Sequence, residues 1–130
     1  MIEQEDPLAQ KSRTGLTRLY FAFGYSISGF KVAMKETAFR QEVIMALVAI
    51  PLAFWVGSTL LETLFLIAVV VLVMIVELLN TGIEKAIDRV GVQYHELSKI
   101  SKDLGSAAVL LSLVLANTVW IALAWKRFFV

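Results

Sequence analysis

Glu77, Asn80, Glu84 and Asp88 recur at steps of three and four residues. That spacing sets side chains along one stripe of an α-helix. The run VVVLVMIV, residues 69–76, leads directly into Glu77, so the stripe begins at the edge of a strongly apolar layer. A carboxylate there is costly unless it has partners, which makes it a functional candidate. Two carboxylates and an amide one or two turns apart are hard oxygen donors. They suit Mg²⁺, which favours one or two carboxylates completed by substrate phosphates. Lys102, beside Asp103, is a candidate cation for such a phosphate. The implied chemistry is a metal–nucleotide acting at a membrane surface. The same polar residues also suit interhelical hydrogen bonding, with Arg40 or Lys102 as partners.

The elements that position this stripe follow from composition. Of 130 residues, 58% are hydrophobic and 18% charged, and the mean hydropathy is +0.76. A soluble domain is about half apolar and about a quarter charged. The excess is too large for one small core, so lipid is the expected solvent and a single domain is expected over 1–130. There is no cysteine, which excludes disulfides, thiolate metal sites and a cysteine nucleophile. A net charge of +1 gives no strong field for nucleic acid. The start MIEQEDPLAQKSR lacks the apolar core of a cleaved signal.

Residues 1–12 read as a disordered lead. Over 13–35, Leu16, Leu19, Tyr20, Phe23, Ile27, Phe30 and Met34 keep helical spacing beside Arg13, Arg18, Lys31 and Lys35. A basic, aromatic amphipathic helix of this kind suits the membrane surface. The first span is expected over about 37–57, beginning near Glu36, with Arg40 and Glu42 at the interface and a kink at Pro51. Gly57-Ser58-Thr59 reads as a turn. One long helix is expected over about 60–90, stopped by Gly91. At ~1.5 Å per residue it is about 45 Å long, so its last turns must leave a ~30 Å hydrocarbon core. Glu62, at its other end, is expected to reach water. A polar loop should follow, containing the single histidine, His95, and then a third span over about 103–126 that ends on Trp120 and Trp125.

Lys and Arg set the orientation. Lys31, Lys35 and Arg40 precede the first span, and Lys85, Arg89, Lys99 and Lys102 flank the second loop. Both regions are therefore expected in the cytoplasm and the C-terminus outside, against the minority vote of Lys126 and Arg127. Glu36 and Asp103 then begin the first and third spans at the level of the stripe, so three helix ends bring acid to one plane. Gly105, Ser106, Ala107 and Ala108 suit close helix packing, and Ser112 and Asn117 suit interhelical hydrogen bonds. No phosphate-binding glycine loop, dinucleotide fingerprint or protein-kinase catalytic loop is present. A nucleotide must bind among helix ends and loops. Without a nucleotide, the same acidic stripe suits an ion-conducting oligomer.

The segments ETAFRQE (36–42), IVELLNTGIEKAIDRVG (75–91) and YHELSKISKDLGSAAV (94–109), with the basic N-terminal helix, resemble the prokaryotic integral-membrane diacylglycerol kinases over 13–127. The undecaprenol kinases of Gram-positive bacteria share the ELLNT core, but the FRQE and YHELS elements are more similar to the diacylglycerol branch. The resemblance implies an all-α homotrimer of nine spans with sites shared between subunits. It implies transfer of the γ-phosphoryl of Mg-ATP to diacylglycerol at the inner membrane. Glu77 is then the implied base, and Glu36 and Glu84 the implied metal carboxylates, supported by Asn80. Arg18, Tyr25, Gln93, Tyr94, His95, Lys102 and Asp103 join Glu36 and Glu84 as implied ATP contacts. Ser26, Arg40, Glu42 and Ser106 are implied supporting or substrate-facing residues. The chain departs from the family in three places: one residue fewer between Gly29 and Glu36, Ile27 and Met34 where tryptophans are common, and Gln93 where many members carry Glu.

Overall fold

Among the described residues there are three long apolar helices and one shorter helix. The computed structural model describes residues 14–130; the expected polar lead over 1–12, and Arg13, lie outside the described residues. The helices are α1 (Gly15–Ala33), α2 (Thr37–Val56), α3 (Leu60–Val90) and α4 (Glu96–Phe129). The last three are long and apolar enough to cross a membrane. At ~1.5 Å per residue they are about 30, 46 and 51 Å long. The first thus matches a ~30 Å hydrocarbon core and the other two overrun it.

Local chemistry explains most boundaries. Thr59 caps α3, its Oγ1 accepting from the Glu62 amide at 3.2 Å. Gly57 is needed in the preceding turn because a Cβ there would stand 2.3 Å from Thr63 Oγ1 and 2.8 Å from Thr63 N. α3 runs unbroken to Gly91, as its sequence predicts. α2 also runs through Pro51 as continuous helix, with no break at the predicted kink; membrane helices tolerate proline where neighbours compensate. The third span is preceded by helix where a polar loop was expected, so α4 starts at Glu96. His95 caps it through Nδ1, which accepts from the Leu97 amide at 3.2 Å, and a Lys99–Asp103 pair at 2.5 Å braces its second turn. Those side-chain bonds are worth only a few tenths of a kcal/mol each, but they extend a helix that the apolar segment already nucleates.

α3 is the centre of the bundle, packing most extensively on α4 and then α2, which scarcely touch each other. Ala53, Val56 and Leu66 form one buried cluster with Val119, Trp120 and Leu123 around it. Val69, Val73 and Ala116 form a second. Alanines at these crossings let backbones approach, which matters in lipid, where helix association depends on packing and not on exclusion of water. Of the small stripe 105–108 only Gly105 is buried; Ser106, Ala107 and Ala108 face away from the bundle. Ser112 and Asn117 do not bridge helices either. Each donates to a carbonyl of its own helix, Val109 O at 2.7 Å and Leu113 O at 2.8 Å, the local alternative open to short polar side chains.

The end holding the α2–α3 turn is latched. Glu62 accepts from the Ser58 amide at 2.9 Å and pairs with Lys126 at 2.6 Å. Its side chain is 17% exposed, so at the end where it was expected to reach water it is also ion-paired. Trp55 meets Phe128, and Trp125 stacks on Phe129. Trp120 Nε1 donates to Leu66 O across the α3–α4 interface at 3.2 Å. Trp120→Phe removes this bond and part of the packing surface. A loss of about 1 kcal/mol is expected, read as a melting temperature lowered by a few degrees in detergent.

Candidate active site

The stripe on α3 runs from buried to exposed. Glu77 and Asn80 are 7% and 8% exposed, Glu84 is half-buried, and Asp88 is exposed. Asn80 Nδ2 donates to Glu84 Oε1 at 3.4 Å, linking the two as donor and acceptor one turn apart. Asn80 Oδ1 is buried without a hydrogen-bond partner and lies against Gly105 of α4, where a Cβ would sit 2.1 Å from it. The glycine therefore allows α4 to seat Asn80 beside Glu84.

α2 brings the other acids. Glu36 precedes its first turn and pairs with Lys85 Nζ at 2.8 Å. Arg40 donates to Lys35 O at 2.9 Å, Met34 O at 3.3 Å and Thr37 Oγ1 at 3.2 Å. Arg40 thus holds the α1–α2 turn, and with it Glu36, but does not pair with the α3 acids. Glu77 lies within electrostatic reach of both Glu84 and Glu36, and Glu42 within reach of Glu77. Glu42 Oε2 is buried and unpartnered. It lines a cleft of about 260 Å³ together with Met45, Val73, Met74, Asn117 and Trp120, so a carboxylate stands among largely apolar walls.

The remaining predicted contacts are not gathered at these acids. Lys102 pairs with Asp88 at 2.7 Å, and its neighbour Asp103 with Lys99. Gln93, Tyr94 and His95 line a separate hollow of about 670 Å³ in the α3–α4 loop, together with Val90 and Ser98. His95 spends Nδ1 on its helix cap. Arg18 and Tyr25 are exposed on α1 and Ser106 on α4. Ser26 donates to Ala22 O of its own helix at 3.0 Å and faces a groove between α1 and α3 that Lys85 also lines. In the sequence Lys85 reads only as a cytoplasmic charge, although it directly follows Glu84.

Among the described residues no three His, Cys, Asp or Glu side chains converge as a metal cage. Mg²⁺ does not require one: two carboxylates and phosphate oxygens suffice. Glu36, at the start of α2, and Glu84, on α3, are hard oxygen donors, and Asn80 holds Glu84 through its amide nitrogen. The donor set fits the ion in chemistry.

The chain as a whole is similar to known proteins of one family. A family model described as prokaryotic diacylglycerol kinase matches residues 24–124. The chain is 47% identical over 116 residues to the diacylglycerol kinase of Escherichia coli (strain K12), covering 88% of this chain and 95% of that one. It is 47% identical over 108 residues to the Haemophilus influenzae diacylglycerol kinase, covering 82% and 92%. With the Pseudomonas aeruginosa diacylglycerol kinase the identity is 45% over 115 residues, covering 88% and 94%.

Proposed function

From the premise that this chain belongs to the prokaryotic diacylglycerol kinase family and is therefore a lipid kinase, we propose that it phosphorylates diacylglycerol to phosphatidate with Mg-ATP at the cytoplasmic membrane face. One observation carries the mechanism: Glu77 is buried where the apolar run of α3 ends, within electrostatic reach of Glu36 and Glu84 nearer the water. A substrate that never leaves the bilayer needs its base at that depth, and a nucleotide needs its counter-charge further out.

Phosphoryl transfer demands chiefly positioning and charge neutralisation. The diacylglycerol hydroxyl enters from the lipid side, where the cleft that Glu42 lines offers largely apolar walls to acyl chains. Glu77 accepts the hydroxyl proton as the oxygen bonds to the γ-phosphorus and the bond to the bridging β–γ oxygen breaks. Phosphatidate stays in the membrane and ADP leaves to the cytoplasm. Glu36 and Glu84 would hold Mg²⁺, with Asn80 fixing Glu84; the ion neutralises phosphate charge when bound. Lys102 and Asp103 extend this contact, and the loop hollow at Gln93, Tyr94 and His95 would receive the rest of the nucleotide. Arg18 and Tyr25 would close over it from α1, while Ser26, Arg40 and Ser106 support the substrate side.

The Lys and Arg bias favours α1 and the α3–α4 loop in the cytoplasm and the C-terminus outside, in the inner membrane. A homotrimer with shared sites accounts for the separation, within one chain, of the carboxylates from the loop hollow. The test is purified protein in micelles with γ-labelled ATP, Mg²⁺ and either diacylglycerol or undecaprenol. Label is expected in diacylglycerol. None in either lipid would sink the kinase mechanism, and equal labelling would remove the preference for a glyceride. Glu84→Gln should raise the Mg²⁺ concentration for half-maximal rate roughly ten-fold or more, given that even indirect ligand partners contribute ~10–100-fold.

A further inference from the structure

Glu36 and Glu84 each lie within electrostatic reach of Glu77 at a membrane edge, where water screens charge poorly. Without metal, such a cluster needs a cation. Lys99 and Lys102 are committed to Asp103 and Asp88, and Arg40 to the carbonyls of the α1–α2 turn. Among the described residues the cation paired with the cluster is Lys85, whose ammonium lies 2.8 Å from Glu36 Oε1. Lys85 follows Glu84 directly on α3, so one turn of helix presents a candidate metal ligand and, next to it, a competitor for the other ligand.

We infer that Lys85 is a built-in counter-ion that occupies Glu36 in the metal-free enzyme and must leave for Mg²⁺ to bind there. The inference rests on the assignment of Glu36 and Glu84 as metal carboxylates. Its consequence is a metal affinity held below what the carboxylates alone would give. The Lys85 side chain is 57% exposed and that of Glu36 37%, so the pair is of the weakly stabilising, partly solvated kind. Removing it should tighten metal binding about three-fold. The pair also ties α3 to the turn that carries α1, since Glu36 donates its amide to Ala33 O at 2.9 Å there. Metal binding therefore releases that tie, leaving the Lys85 ammonium free at the rim of the α1–α3 groove.

The test is Mn²⁺ binding to the full-length protein in micelles with a non-hydrolysable ATP analogue, followed by electron paramagnetic resonance of the free ion. Lys85→Met, which keeps the aliphatic stem, is expected to bind Mn²⁺ about three-fold more tightly than the unmodified protein. In a Glu36→Gln background the same change should give no gain, because the partner is already gone. Glu84→Gln supplies the control. If it weakens Mn²⁺ binding while Lys85→Met leaves binding unchanged or weaker, the carboxylate assignment stands and the counter-ion role is overturned. A weaker value would make Lys85 a phosphate ligand. If neither Glu84→Gln nor Glu36→Gln changes Mn²⁺ binding, the metal assignment falls and takes the counter-ion role with it. Matching thermal melts of all variants exclude unfolding as the cause.

Discussion

Glu77→Gln is expected to lower turnover by roughly 10²–10⁴-fold, the range a positioned general base contributes, while leaving the fold intact. Glutamine has the shape of glutamate but an amide cannot accept the hydroxyl proton. The position is 7% exposed, and its neighbours include the carboxylates of Glu84, Glu36 and Glu42. Removing one charge from a buried set of like charges relieves repulsion and desolvation, so the melting temperature should stay level or rise. ATP binding, measured by titration calorimetry, should change little because the proposed metal and nucleotide ligands, Glu36, Glu84 and the loop at Gln93, Tyr94 and His95, are all retained. Near-normal turnover would mean that Glu77 only packs helices together, and the mechanism proposed above would be wrong. The combination of lost rate with kept stability separates a catalytic group from a structural one.

Gly105→Ala is expected to damage both stability and activity. A Cβ at this position meets Asn80 Oδ1 at 2.1 Å and Asn80 Cγ at 3.2 Å. Either Asn80 rotates and gives up its bond to Glu84, or α4 moves away from α3 along their main interface. Overpacking of this kind costs about 1–3 kcal/mol. The first response also frees Glu84, so the Mg²⁺ requirement should rise together with the fall in melting temperature. A double variant, Asn80→Ala with Gly105→Ala, removes the clash. It should recover thermal stability in detergent without recovering activity. If Gly105→Ala alone behaves like the unmodified protein in both measurements, α3 and α4 do not cross as closely as described.

Several features of the site were legible in the sequence because they are local. The order apolar run, Glu77, Asn80, Glu84 fixes a stripe that passes from lipid toward water, and the described burial follows it. Thr59 and Gly91 bound α3 at the predicted positions. Glu36 was placed at the start of the first span, and α2 begins one residue later. The early start of α4 was less legible. Its polar first turns carry some helical pattern, with Leu97, Ile100 and Leu104 at helical spacing, but they read as loop for their polarity, and the cap on His95 Nδ1 is a side-chain bond that composition does not reveal.

What lies across helices was not legible. Lys85 reaches Glu36 over 49 positions and Lys126 reaches Glu62 over 64. Ser112 and Asn117, which look like interhelical donors in sequence, turn back onto their own backbone. Only Gly105 among four small neighbours meets another helix. The sequence by itself determined that this is an all-helical membrane protein of three long apolar helices with acids along the second of them, because helical period and apolar length are properties of consecutive residues. Tertiary structure alone decided which acid is paired, which is orphaned and which glycine makes room for Asn80. Those outcomes depend on the rotation of each helix about its axis and on how closely its neighbour can approach, and neither is encoded within a single segment.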